Sequence, residues 1–221
     1  MKIEQSKKTL VSLLEPSSLQ VSYYLRNLVN NYDSLLDLGG GSGAAWGSNG
    51  MHCPKDLITR TVVDLYQPGL VKGVESGVYT NAVNSDVLTY LKAQQSESFD
   101  VVLAISVIEH LTTSAGEELA HEMKRVAKEI AIIFTPNGFV PQPPDADNPH
   151  QEHISGWNCN QLRLLGYEFA RGFNGLKYLR TTYGAIRFRP MVFFIPLTLV
   201  SAFFTRHSKR FAFEILYVAM K

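Results

Sequence analysis

The chain has 221 residues, of which 45% are hydrophobic and 19% charged, with a formal net charge of +1 at pH 7. This length suits one domain with a full core, and the balanced composition excludes intrinsic disorder, collagen-like repeats and a strongly basic nucleic-acid-binding protein. The two cysteines, Cys53 and Cys159, match no metal-binding spacing, so free thiols in a reducing cytosol are the simplest interpretation. Residues 1–10 are polar and basic without the apolar stretch of a signal peptide, and we expect a cytoplasmic protein.

Short apolar runs alternate with amphipathic segments along most of the chain. The runs at 34–38, 60–65, 99–105 and 129–134 predict strands, with a further strand ending near Asn84. Residues 19–30 and 114–128 carry apolar side chains at helical spacing. Because the strand segments are apolar without alternation, we expect burial on both faces, as in a parallel sheet. The order predicts a doubly wound α/β fold, whose ligands bind beyond the carboxyl ends of the strands.

A glycine-rich segment, Asp37-Leu-Gly39-Gly-Gly41-Ser-Gly43, directly follows the first predicted strand. Glycines allow a sharp turn and a close approach of the backbone to a ligand. The alternative interpretation is a purely structural turn.

Two acidic residues make this interpretation more specific. Asp64 ends the second predicted strand, where an acid accepts hydrogen bonds from ribose hydroxyls in dinucleotide-binding folds. Asp86 follows the third strand, where a carboxylate could hold the exocyclic amine of adenine. Either residue could instead be a helix cap or a turn residue.

Together with the segment from Phe99 to Leu111, which ends in Ile-Glu-His-Leu, these motifs resemble the class I S-adenosylmethionine-dependent methyltransferases, in particular the type 11/23 group. The resemblance is clear from Leu35 to Phe139 and weaker through residues 148–157. It implies a mostly parallel, Rossmann-like sheet of seven strands whose last strand, 211–220, is antiparallel. It also implies methyl transfer with S-adenosylmethionine as the cofactor.

The resemblance further implies the cofactor contacts. The glycines would line the methionine part, Asp37 would orient the loop or reach the amino group through water, and Asp64 would bind ribose. Asp86 and Val87 would bracket adenine, and the end of strand four would offer backbone groups. The residues concerned are Asp37, Gly39, Gly41, Asp64, Leu65, Asp86, Val87, Ile105 and Ser106.

Three other functions compete with this interpretation. Gly39-x-Gly-x-x-Ala44 also fits a dinucleotide fingerprint, but Ile-Glu-His-Leu and Asn-Ser-Asp speak against nicotinamide oxidoreduction. A non-catalytic scaffold on this fold is expected to lose residues such as Asp64 or Gly39, which are kept here. An RNA methyltransferase would favour an Asn-Pro-Pro-Tyr motif after strand four, which Ser106 to Glu109 does not match.

Histidines are the candidate catalytic bases, since His titrates near neutral pH. His110 follows strand four, and His150 and His153 lie in the loop after strand five; His110 and His153 are the residues we single out. Some quinone O-methyltransferases resemble the segment that contains His110 but carry Glu-x-x-Glu-His there, and in them the acids and the histidine can hold a cation. Here the first position is Ser106, and His150-x-x-His153 lacks an evident third ligand, so we expect no metal.

The last third of the chain departs from the alternating pattern. Residues 136–157 form a long substrate-side loop, followed by a short helix at 160–165 and strands at 167–173 and 211–220. No linker divides the chain, so we expect a single domain over 1–221. The methyl acceptor is expected to be a small molecule, with sugar- and lipid-linked compounds as options, and no nucleic acid.

Within this region, the segment 176–210 is apolar and basic. Eight basic residues and no Asp or Glu lie between Phe169 and Phe213, which leaves about −7 (13 basic, 20 acidic) on the rest of the chain. Residues 190–204 are an apolar run with cations on both flanks, too short for an ordinary membrane span. Three interpretations remain open: a buried helix, a peripheral contact through 187–210 with the inner face of a membrane or a lipid-linked substrate, or a dimer interface.

Overall fold

The computed structural model describes residues 17–47, 50–54, 56–181 and 185–221; the predicted absence of a leader at 1–10 concerns residues outside these ranges. Short 3-10 turns lie at Ala44–Trp46, Ile108–His110, Pro149–Gln151 and Lys177–Leu179. The helices are α1 (Ser17–Val29), α2 (Gln67–Glu75), α3 (Val87–Ala93), α4 (Thr113–Val126), α5 (Cys159–Leu164) and α6 (Met191–Thr205). The strands are β1 (Ser34–Leu38), β2 (Thr59–Asp64), β3 (Asn81–Asn84), β4 (Phe99–Ile105), β5 (Ala127–Pro136), β6 (Glu168–Leu176) and β7 (Ala212–Met220).

These strands form one sheet of seven in the order β3-β2-β1-β4-β5-β7-β6. Strands β1 to β5 pair in parallel, and β7 pairs antiparallel with both β5 and β6. The predicted doubly wound sheet with an antiparallel last strand is therefore confirmed. Because these strands are parallel, the carboxyl ends of β1, β2 and β4 lie at one edge. The strand order reverses between β1 and β4, and a ligand cleft opens at such a reversal.

Two hydrophobic clusters cover the two faces of the sheet. One includes Leu36, Val102, Leu119 and Trp157, and the other includes Leu35, Trp46, Val101 and Ile132. Neighbouring residues on a strand enter different clusters because their side chains alternate between faces. This explains the unbroken apolar runs, which are needed when both faces are covered.

Helix α6 packs against β6 through its polar side. Thr198, Ser201 and Thr205 are buried, whereas Phe193 and Phe204 are 71% and 70% exposed. Burial of the three hydroxyls is acceptable because each donates to a carbonyl of its own helix, at 2.7, 2.7 and 2.8 Å respectively.

Two glycines of β6 set this close packing. A Cβ at Gly172 would lie 2.5 Å from the Thr205 carbonyl oxygen, and one at Gly175 would lie 2.5 Å from Ser201 Oγ. The helix contacts the sheet through the small residues on its polar side, and its large apolar residues face outward. The interpretation of 190–204 as a buried apolar helix is therefore wrong for those outward-facing residues. Among the described helices, none is long and apolar enough to cross a bilayer.

Candidate active site

A cleft opens at the carboxyl edge of β1, β2 and β4. It brings together six of the nine cofactor-contact residues predicted from the sequence, and it also includes His110 and His150. Asp37, Gly41 and Ile105 are not among the residues that line it. The six residues are Gly39, Asp64, Leu65, Asp86, Val87 and Ser106.

The glycine loop needs glycine for two separate reasons. Gly39 has φ +65°, and a Cβ there would lie 2.5 Å from Val107 Cγ2 on the strand β4 side. Gly40 lies directly over the Asp37 carboxylate, since a Cβ would approach its Cγ to 2.6 Å. The glycines therefore let the loop pack closely on Val107 and Asp37, and Gly39 lines the cleft without a side chain.

Asp37 is a buried anchor beneath this loop. Its Oδ2 accepts hydrogen bonds from Tyr79 Oη at 2.6 Å and Trp46 Nε1 at 3.0 Å, and its buried Oδ1 has no hydrogen-bond partner. Burial raises the pKa of Asp37 to about 7, against the lowering effect of the two donors. Of its two predicted roles, orientation of the loop fits this position.

Asp64 and Asp86 each use one carboxylate oxygen to shape the backbone. Asp64 Oδ1 accepts from the Tyr66 N–H at 2.7 Å, and Oδ2 is 3.5 Å from where a Cβ of Gly41 would lie. Asp86 caps α3, with Oδ1 accepting from the Thr89 N–H at 2.8 Å. The capping alternative for Asp86 thus holds, yet both residues also line the cleft.

Ser106 follows β4 in the left-handed region, with φ +54°. Its N–H donates to the Phe134 carbonyl at 2.8 Å, so this N–H is not available to a ligand. Such a conformation in a non-glycine residue is uncommon and clusters at functional sites. Here it turns the chain from β4 toward Glu109 and His110.

A second pocket adjoins the cleft and shares Ser106, His110 and Gln151 with it. The His110 and His153 rings pack edge to face, with centroids 4.8 Å apart. Burial lowers the pKa of His110, which favours the neutral imidazole. His150, the third histidine considered, lines the cofactor cleft instead. The remaining lining residues of this second pocket are Glu109, Pro136, Val140, Gln142, Phe213 and Glu214.

Two carboxyl groups of this pocket, the buried Glu109 and the partly buried Glu214, were not singled out as site residues from the sequence. Burial raises the pKa of Glu109 to about 8, and its Oε2 accepts from Thr135 Oγ1 at 3.1 Å while its buried Oε1 has no partner. Burial likewise raises the pKa of Glu214 to about 7, and its carboxylate accepts a hydrogen bond from Asn174. An ionisable residue inside a strongly apolar strand, as at Glu214 in β7, is the signal that could have found it.

The loop after β5 is fastened over this pocket by a buried tryptophan. Trp157 Nε1 donates to the Ile108 carbonyl at 3.2 Å and to Ser155 Oγ at 2.9 Å. The N–H groups of Ile154 and Ser155 both donate to the Glu109 carbonyl, at 3.0 and 3.1 Å. These bonds position His153 against the turn that carries Glu109 and His110.

The seven-stranded fold is that of the class I S-adenosylmethionine-dependent methyltransferases. Residues 36–138 match a family model described as a methyltransferase domain, so the chain carries that domain and is an enzyme that uses S-adenosylmethionine. No curated protein matches the sequence significantly.

Solved methyltransferase structures share the fold at low sequence identity. A methyltransferase of Archaeoglobus fulgidus is 19% identical, with 93% of this chain and 95% of that chain covered and a TM-score of 0.58. A possible histamine N-methyltransferase of Thermotoga maritima is 13% identical over 99% and 96% of the chains, with a TM-score of 0.56. The magnesium protoporphyrin IX methyltransferase of Synechocystis PCC 6803, solved with bound cofactor, is 13% identical over 91% and 77%, with a TM-score of 0.52. These names differ in their acceptors, so the acceptor must be argued from this chain's own surface.

Proposed function

We propose that the protein methylates a small, lipid-linked acceptor at the surface of an anionic membrane. The observation that carries the proposal is the reversed polarity of α6, whose polar residues face the sheet while its aromatic and aliphatic residues face outward. An exposed apolar surface of this kind marks an interaction site. A peripheral helix that inserts into the headgroup region has this arrangement.

The charges around α6 favour an anionic membrane over a second protein copy. Arg187 and Arg189 precede the helix, Lys209 and Arg210 follow it, and all four are exposed. Two copies meeting through this face would bring these cations together without an acid from the same stretch. A bilayer with anionic headgroups instead attracts each of them by on the order of 1 kcal/mol.

The second pocket, in which we place the acceptor and which we call the acceptor pocket, is linked through β6 to helix α6, the helix proposed to contact the membrane. Glu214 lines the pocket and accepts a hydrogen bond from Asn174, and the next residue, Gly175, packs against Ser201 of α6. An acceptor head group in the pocket could therefore keep its lipid tail near the membrane-facing helix.

The cofactor is held, in this proposal, by the residues the resemblance implies. Asp64 accepts hydrogen bonds from the ribose, Asp86 and Val87 adjoin the adenine, and the Gly39 and Gly41 backbone faces the methionine part. Leu65, Ile105 and Ser106 complete these contacts. The bare glycine backbone and the carboxylates along the cleft are what support this fit.

S-adenosylmethionine supplies a methyl group that its sulfonium makes electrophilic. The acceptor's lone pair forms a bond to the methyl carbon while the methyl–sulfur electron pair stays on sulfur. The protein's share is alignment and exclusion of water, to which the loop over the second pocket contributes. His110 and His153 are the candidates to take the acceptor proton, since in the neutral imidazole a contact of Nδ1 to a backbone carbonyl leaves the lone pair on Nε2.

Vesicle sedimentation tests the membrane part of the proposal. The protein should sediment with vesicles that contain phosphatidylserine, more at low salt than at high salt, and weakly with phosphatidylcholine alone. Lys209→Ser combined with Arg210→Ser removes about 2 kcal/mol of attraction, which lowers binding by about 30-fold at low salt. Phe193→Ser combined with Phe204→Ser should also abolish most binding.

The matched control is Ile58→Ser, because Ile58 is 73% exposed and precedes β2, at the opposite end of the sheet from β6. Labelled S-adenosylmethionine with a cell extract should then place label in the lipid-soluble fraction. Label in RNA or only in water-soluble compounds, or vesicle binding unchanged in both double variants, would contradict the proposal.

A further inference from the structure

We propose that Glu109, His110 and His153 bind one divalent transition-metal ion, of the zinc class, in the acceptor pocket. Each of the three side chains offers one ligand atom, and these atoms lie within 4.8 Å of one another. Two imidazole nitrogens with one carboxylate form a donor set that suits Zn²⁺ and related ions, whereas Mg²⁺ prefers oxygen ligands throughout.

The hydrogen bonds of the two histidines prepare them for coordination. His110 Nδ1 lies 2.8 Å from the Glu152 carbonyl oxygen, and His153 Nδ1 lies 2.7 Å from the Val140 carbonyl oxygen. A carbonyl oxygen only accepts, so in the neutral imidazole each Nδ1 carries the proton and the lone pair lies on Nε2. Metal-binding histidines characteristically donate their other N–H to a carbonyl or carboxylate in this way.

Glu109 is the third ligand, and one of its carboxylate oxygens independently points to a bound cation. Thr135 fixes its Oε2 at 3.1 Å, while Oε1 is buried without a hydrogen-bond partner. A buried carboxylate oxygen without a partner is costly, and a cation would satisfy it. In this ligand set the loop residue His153 takes part and Ser106 does not, so the spacing of the Ile-Glu-His-Leu motif alone could not indicate it.

The catalytic consequence rests on the proposed function, whereas metal binding does not. A cation here would bind an acceptor hydroxyl and lower its pKa, so that its proton passes to water before the oxygen attacks the methyl carbon. The two histidines would then be ligands instead of proton acceptors.

Metal binding is measured on the full chain without cofactor or acceptor. After chelation and dialysis, Zn²⁺ titrated by calorimetry should bind with one ion per chain. His153→Ala and Glu109→Gln should each weaken binding by about 100-fold or more, a loss at least as large as that for outer-shell partners. The matched control is His121→Ala, an exposed histidine on α4, which should keep the wild-type affinity.

X-ray absorption of the zinc-loaded wild type keeps the test independent of how the variants fold. The spectrum should show only nitrogen and oxygen neighbours, with the outer-shell scattering of two imidazoles. A sulfur neighbour would point to Cys53 or Cys159 and overturn the proposal. The absence of stoichiometric binding, or equal affinity in His153→Ala and His121→Ala, would overturn it as well.

Discussion

Replacing Asp64 tests the assignment of the cofactor cleft most directly. In the structure this carboxylate has two separable functions: Oδ1 accepts the Tyr66 N–H at 2.7 Å, and Oδ2 lies toward the glycine loop. Asp64→Asn keeps an oxygen for the Tyr66 N–H and removes the charge. Asp64→Ala removes both functions, so the difference between the variants separates turn geometry from ligand contact.

The expected loss follows from the kind of bond that is removed. A hydrogen bond to a charged group contributes about 1.5–3 kcal/mol, so Asp64→Ala should raise the Kd for S-adenosylmethionine by about 10- to 150-fold. Asp64→Asn should show a smaller loss, since an amide oxygen can still accept from a ribose hydroxyl.

Calorimetric titration with S-adenosylmethionine measures these losses, and circular dichroism checks that the variants fold. Asp145→Asn is the matched control, because Asp145 Oδ1 accepts the N–H two residues later at 2.8 Å, in the same kind of turn, on an exposed loop. Wild-type affinity in a folded Asp64→Ala variant would refute the assignment of this residue to the cofactor.

Two further predictions concern stability. Burial raises the pKa of Asp37 from 3.8 to about 7 in the folded protein, where Tyr79, Trp46 and Asp64 face it. The contribution of Asp37 to the free energy of unfolding is therefore fully present below about pH 4 and is lost as the pH rises through 7. Urea unfolding at pH 6 and pH 8 should show this loss in the wild type and a smaller loss in Asp37→Asn; equal losses would contradict it. Gly172→Ala should lower the free energy of unfolding by about 1–3 kcal/mol, because its Cβ would meet the Thr205 carbonyl, and an unchanged urea midpoint would contradict that packing.

The grouping of Gly39, Asp64 and Asp86 at one cleft could be predicted from the sequence because its signals are local. Gly39 directly follows β1, Asp64 is the last residue of β2 and Asp86 comes two residues after β3. Parallel strands that end at one edge bring such residues together without further information. The sequence could not show which oxygen of each carboxylate bonds to the backbone and which faces the cleft. The capping bond of Asp86 and the turn bond of Asp64 depend on side-chain rotamers, which no spacing specifies.

The acceptor side could be predicted only in part, since it depends on contacts between distant segments. His110 and His153 were both singled out, but their pairing requires the loop to fold back under Trp157, whose indole bonds to the Ile108 carbonyl and Ser155. The expectation of no metal treats Glu109 and His110 in one segment and His150 and His153 in another, and it does not combine the two segments. Glu109 completes the group because a turn after β4 carries it into the same pocket.

Helix α6 shows why hydrophobicity alone predicted its environment poorly. A run this apolar usually lies in a core, because burial of each large side chain contributes about 1.5–3 kcal/mol. Here the partner strand offers Gly172 and Gly175, and these accept only a close helix face built from Thr198, Ser201 and Thr205. The hydroxyls of that face are satisfied within the helix, so the fold leaves the phenylalanines outside. Among the described residues, the chain could bury those side chains only by giving up this packing, and the proposed contact with an anionic membrane would give them an apolar environment next to the flanking arginines and lysine.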